Sequence, residues 1–275
     1  MEAISSRVMA TLHLSEVDLY YEVVGEGPRL LFFNGSGSSI ADVGMLVELL
    51  ATRFEVLVHD QRGLGLTGVP RGPGPHMADY AADGAALLDH LGWETTSVLG
   101  LSFGGMVAQE FSVTRPERVE RLALLCTSPG GAGGSSYPLH ELGALTPAVR
   151  RETEVAILDT RFDDAWLADH PADRRLAEHM ASRGDRHRTP AQRLGEELQL
   201  EARRHHDVFD RLNRIRCPTL VAAGRFDATA RLERSQAIAS AVPGAELRVY
   251  EGGHLFLLQD PRAVGEIMDF LATPG

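Results

Sequence analysis

Six short runs of almost unbroken apolar residues constrain this chain more than anything else in it: RLLFF (29–33), FEVLVHD (54–60), TSVLGLS (96–102), VERLALLC (119–126), PTLVAAG (218–224) and AELRVYEG (245–252). A strand that alternates polar and apolar residues needs one covered face, whereas runs like these need cover on both. Helical patterns fall between them at about 40–52, 78–92, 104–115, 229–241 and 261–272. Buried strands alternating with helices make a mostly parallel α/β sheet with helices on both faces. Upstream, TLHLS and VDLYYEVVG (11–25) alternate as a hairpin does. At 275 residues, 44% of them hydrophobic, the chain has material for one large core.

The rhythm breaks once. From PGGAGGSSYP onward the sequence turns charged and helix-prone until strand character returns at Cys217. The expected division is therefore a core of residues 1–130 and 214–275 with a helical cap, 131–213, inserted over the sheet's carboxyl edge. A formal charge of −11 argues against nucleic acid or an anionic membrane as partner. All 27 basic residues are arginine, which removes lysine Schiff bases, lysine general bases and the P-loop lysine. Cys126 and Cys217 lie in strand-like runs without metal-ligand spacing and read as buried, reduced core residues. Neither an apolar leader nor an 18-residue apolar stretch occurs, so a cytoplasmic protein is expected; a homo-oligomer stays open.

Within this frame the stretch VLGLSFGGMV (98–107) stands out, because glycines there cost backbone entropy and give a core nothing. Gly100-Leu101-Ser102-Phe103-Gly104 is a G-x-S-x-G motif that closes a strand and opens a helix, the context in which a serine becomes an exposed nucleophile at a helix N-terminus. Such a serine needs a base and a group to orient that base. Both should follow later strands, at the sheet edge where ligands bind. Asp227 follows PTLVAAG, near the surface, and His254 follows AELRVYEG. Of the 11 histidines, others such as His179, His187, His205 and His206 sit in the polar insertion and read as solvated.

Taken with DQRGLGLTG, AAGRFD and EGGHLFLLQDP, the GLSFGG segment resembles the α/β-hydrolase family over nearly the whole chain. The resemblance implies an eight-stranded, mostly parallel sheet with a helical cap between the sixth and seventh strands, a Ser102-His254-Asp227 triad, and oxyanion donors at the backbone N–H groups of Ser36 and Phe103. One departure is plain: Asn34-Gly35 stands where the family carries His-Gly. The implied activity is hydrolysis of a small-molecule carboxylic ester or lactone, apolar in character, through an acyl-enzyme and with no cofactor or metal. Cofactor-free perhydrolase chemistry, carbon–carbon bond hydrolysis and a slow-turnover ligand receptor are the alternatives it allows.

Two motifs fail in context. GLGLTG (63–68) has dinucleotide-binding spacing, but Pro70, Pro73 and Pro75 follow where a helix is needed. HELGA (140–144) lacks the second histidine of a zincin helix. The insertion's arginines are interleaved with acids and read as an ion-paired, solvated surface, with Trp166 and Phe162 seating the insertion on the sheet.

Overall fold

The computed structural model describes residues 6–184 and 188–273. His187 therefore lies outside the described residues. Eight strands, β1 (Arg7–His13), β2 (Asp18–Val24), β3 (Arg29–Phe33), β4 (Glu55–His59), β5 (Thr96–Leu101), β6 (Val119–Leu125), β7 (Thr219–Gly224) and β8 (Glu246–Tyr250), form one sheet in the order β1-β2-β4-β3-β5-β6-β7-β8. Only β1 with β2 and β2 with β4 pair antiparallel; the rest are parallel. The eight-stranded, mostly parallel sheet expected from the sequence is what the chain adopts.

Side-chain alternation explains why the apolar runs had to be continuous. Leu31 and Phe33 of β3 enter one hydrophobic cluster and Leu30 and Phe32 the other, all fully buried. The first cluster includes residues of α2 (Met77–Leu91), α3 (Phe103–Thr114) and α8 (Leu232–Ala241); the second, residues of α1 (Ile40–Leu50) and α10 (Ala263–Ala272). Burying a Leu or Phe side chain contributes about 1.5–3 kcal/mol, so the two clusters dominate the driving force.

Between β6 and β7 lie α4 (Pro147–Ala156), the short α5 (Asp164–Asp169), α6 (Pro171–Gly184) and α7 (Pro190–Arg204). Two helices differ from the sequence reading. The one expected from 229 starts at Leu232, because Asp227–Ala230 form a turn in which the Asp227 carboxylate accepts from the N–H groups of Thr229 and Ala230, both at 2.8 Å. The one expected from 261 starts at Ala263, and a short turn not expected from the sequence, α9 (Phe256–Gln259), precedes it, the two being separated by Asp260-Pro261, where proline cannot continue a helix. β1 likewise begins four residues before the sequence pattern shows, at Arg7 instead of Thr11.

Chain order fixes where a ligand belongs. β3 lies between β4 and β5, so the chain leaves β3 toward one side of the sheet and returns past it to the other. Loops after β3 and β5 thus diverge at a switch point, where an open α/β sheet offers a crevice at its carboxyl edge.

Candidate active site

Ser102 sits at that point, on the turn between β5 and α3. Its backbone has φ 55° and ψ −112°, a conformation an L-residue adopts only under strain. Three contacts hold it there: its N–H donates to Leu125 O on β6 at 2.9 Å, and its carbonyl accepts from Gly105 N at 3.0 Å and from the Thr127 hydroxyl at 2.8 Å. The surrounding glycines are now accounted for. A Cβ on Gly104 would lie 1.9 Å from Phe33 O, and one on Gly105 2.6 Å from the Thr127 side chain. Strand and helix meet so closely that only glycine fits.

His254, on the loop between β8 and α9, places Nε2 3.0 Å from Ser102 Oγ and Nδ1 2.8 Å from Asp227 Oδ2. A carboxylate only accepts, so the imidazole proton lies on Nδ1 and Nε2 is left free to accept from the serine hydroxyl. Asp227 is 3% exposed, not near the surface as its loop position suggests. Its other oxygen takes the Thr229 and Ala230 N–H groups, so every lone pair that matters is directed. The structure thus brings together Ser102, Asp227 and His254.

The two expected oxyanion donors flank the same serine. Phe103 is the first residue of α3, and Ser36 follows Gly35, whose missing Cβ would lie 3.8 Å from Ser102 Cβ. The Asn34 variant is part of a buried amide chain. Asn34 donates to Ser38 O at 3.1 Å, Gln61 donates to both Asn34 oxygens, Gln199 of α7 donates to Gln61 Oε1 at 2.6 Å, and Gln199 Oε1 accepts from Gly37 N at 2.9 Å. The loop is thereby fixed from both ends by side chains, one of them from the insertion.

The DQRGLGLTG segment braces the neighbouring loop. Asp60 accepts from the N–H groups of Ile40 and Leu66, and Arg62 makes a buried two-point bridge to Asp83 at 2.6 and 2.8 Å. Burial pushes the Asp83 carboxyl up to about 6, against the opposing pull of Arg62. A cavity of about 400 Å³ opens here, lined by Gly37, Ser39, Asp42, Leu64, Arg188 and Glu196 among others.

Cys126 joins the site unexpectedly. Its Sγ lies with the Asp227 and His254 ligand atoms inside 4.8 Å, and its φ of 39° is also strained. Burial first, and then the Asp227 charge, push its thiol well above the usual range, so it stays protonated and contributes bulk beneath the imidazole. Cys126 and Cys217 are both buried and free, as the sequence indicates.

The insertion is sewn into the loops that carry Asp227 and His254. Leu158 O accepts from His254 N at 2.5 Å, Ile157 O from the Thr229 hydroxyl at 2.8 Å, and Phe226 O from Thr160 N at 2.8 Å. Gln259 reinforces this seam: Oε1 accepts from Gly253 N at 2.9 Å while Nε2 donates to Asp159 at 3.0 Å and Asp173 at 3.2 Å. Trp166 packs within the insertion, with its indole N–H on Asp173 at 2.8 Å and its ring 4.6 Å from the Arg161 guanidinium, and it is Arg161 that reaches the core, covering Phe226 at 4.0 Å. Two sequence expectations need correction. His206 is not solvated but 5% exposed, and Arg203 is not part of an ion-paired surface but buried, at 8% exposure. Both lie where α7 and the turn after it are pressed against the core, which polar composition alone conceals.

Comparison with known proteins gives the family of the chain. A family model described as serine aminopeptidase, S33, matches residues 28–261. A poly(3-hydroxyalkanoate) depolymerase of Ectopseudomonas oleovorans is 31% identical over 247 residues, covering 88% of this chain and 83% of that protein. The 3-oxoadipate enol-lactonase 2 of Acinetobacter baylyi is 25% identical over 265 residues, covering 94% of each. Among solved structures, a hydrolase from Pseudomonas aeruginosa superposes with a TM-score of 0.75 at 28% identity, covering 96% of this chain and 98% of that one.

Proposed function

Because this chain belongs to the serine aminopeptidase, S33, family of α/β hydrolases, we propose that it hydrolyses a small-molecule carboxylic ester or lactone through Ser102, His254 and Asp227. The observation that carries the reading is the continuous hydrogen-bonded line from Ser102 Oγ through His254 to Asp227. His254 Nε2 takes the hydroxyl proton as Ser102 Oγ attacks the carbonyl carbon. The N–H groups of Ser36 and Phe103 receive the oxyanion, and the α3 dipole favours it. His254 then returns the proton to the departing alkoxide, leaving an acyl-serine. Water, deprotonated by His254, attacks the acyl carbon, and the proton passes to Ser102 Oγ as the acid leaves. Asp227 keeps the proton on Nδ1 and stabilises the imidazolium throughout. No cofactor is required by any step.

Supporting the ester or lactone class are the names of two relatives, a polyhydroxyalkanoate depolymerase and an enol-lactonase. Residues 131–213 act in this reading as the cap that shapes access, and the polar lining of the cavity beside Gly37 suits the polar end of a substrate.

The experiment has two parts. A fluorophosphonate probe should label Ser102, located by mass spectrometry of the digested protein. Steady-state turnover is then measured on esters, lactones and carbamates of graded size. Multiple turnovers on an ester or lactone are expected. An adduct on another serine would undo the site assignment, and stoichiometric release without turnover would indicate a receptor.

A further inference from the structure

Arg203 is the buried group whose surroundings the reaction as described leaves unexplained. Other arginines of the insertion meet acids: Arg150 with Glu154, Arg161 with Asp159, Arg188 with Glu196 and Arg204 with Glu201. Arg203, in the last turn of α7, has no such bridge among the described residues. Its Nε and Nη2 donate to Ser136 Oγ at 3.2 and 2.7 Å, and Nη2 also to Tyr137 O at 3.2 Å. Nη1 is buried with no hydrogen-bond partner. An uncompensated buried cation is costly to keep, so the position calls for a counter-charge nearby.

That counter-charge is Asp227. The two are joined by three hydrogen bonds through two residues: Arg203 donates to the Tyr137 carbonyl, Tyr137 N donates to Thr229 O at 2.7 Å, and Thr229 N donates to Asp227 Oδ1 at 2.8 Å. We propose that Arg203 is a positioning residue of the catalytic site, a fixed positive charge held behind Asp227 that shares this carboxylate with the imidazolium formed at His254 during turnover. The proposal rests on the triad reading above.

The neighbouring titratable groups leave this role to Arg203. Burial draws its guanidinium down to about 10, with Asp227 opposing the fall, so it stays cationic across neutral pH. His206 beside it is driven down to about 3, mainly by burial, and remains neutral. Arg211 is already bridged to Glu110 at 2.7 Å. On the far side of Asp227 stand His254 and the protonated Cys126 thiol. A cation there opposes the positive charge formed at His254 during turnover, so its removal eases the formation of that charge.

The test uses Arg203→Gln, which loses the charge but can still donate to Ser136 and Tyr137, Arg203→Lys, which keeps the charge, and Arg203→Met as a second neutral variant. For each, kcat/KM for a neutral ester is measured from pH 4.5 to 9. The acid limb should move to higher pH by about half to one unit in Gln and Met, from a point charge acting across the protein interior. It should stay in place in Lys, with plateau kcat within about threefold of wild type. An unmoved limb in the neutral variants overturns the proposal. So does a rise in KM confined to carboxylate-bearing esters, which would make Arg203 a substrate contact. Should Gln and Met fail to fold, the pH dependence of fluorophosphonate labelling in Lys must match wild type; a shifted profile there also overturns it. Wild-type labelling at Ser102 separates this outcome from failure of the triad itself.

Discussion

Ser102→Ala is expected to lower kcat on the best ester by about 10⁵–10⁶, the loss seen when the serine of a Ser-His-Asp site is removed alone. The size follows from what alanine takes away: the atom that becomes acylated and the hydroxyl on which His254 Nε2 is aligned at 3.0 Å. No neighbouring group can substitute, because the Cys126 thiol is buried and protonated and the Thr127 hydroxyl is spent on the Ser102 carbonyl. Residual hydrolysis through the oxyanion donors and substrate binding should remain above the rate in water. Folding should change little, since alanine meets the same positive φ as serine. The check is kcat beside a thermal melt. A folded Ser102→Ala protein with more than about a hundredth of wild-type turnover would assign the chemistry elsewhere.

Asp227→Asn comes next in size, with an expected loss of about 10²–10⁴ in kcat at neutral pH. Asparagine preserves shape, and its carbonyl can keep the two bonds from Thr229 and Ala230. Its NH₂ then faces His254 Nδ1, where a donor meets a donor. The imidazole responds by moving its proton to Nε2, which can no longer accept from Ser102. The carboxylate is also lost as support for the imidazolium, in a site where Asp227 is 3% exposed and bulk solvent screens it little. Because the change is isosteric at a buried turn, Tm should fall by only a few degrees, in line with a loss of about 1 kcal/mol. Near-normal kcat in a folded Asp227→Asn protein would point to another acid behind His254 and would withdraw the triad as drawn.

Sequence pattern carried the sheet and the candidate site residues far better than it carried their supports. Strands buried on both faces announce themselves as apolar runs, and β3 to β8 begin and end within two residues of those runs. Gly100, Gly104 and Gly105 mark the turn at Ser102 because the close approach there forbids a Cβ, so the steric requirement is written directly in residue type. Asn34, Gln61 and Gln199 have no such mark. Their bonds join positions up to 162 residues apart, and an amide buried in a network reads in sequence like one in water. The same blindness hid Arg203 and His206, whose neighbours Glu201, Arg204 and His205 are exposed and give the segment its polar look. Short polar segments disclose burial only through partners that fold against them.

The seam at Ile157–Thr160 makes activity a gauge of local cohesion. α4 and α5 contain no fully covered residue, and before α7 the insertion keeps only scattered covered apolar ones, Leu142, Ile157, Phe162 and Ala177, whereas the sheet's inner strands are sealed on both sides. A unit with so little covered apolar area opens at lower free energy than the sheet. Yet its backbone holds His254 through Leu158 and the acid turn through Ile157. Opening the insertion therefore disassembles the catalytic line while the sheet beneath remains intact. On gradual warming or in rising urea, turnover should vanish ahead of the strand signal in circular dichroism, and coincident loss of both would mean that insertion and sheet melt as one body.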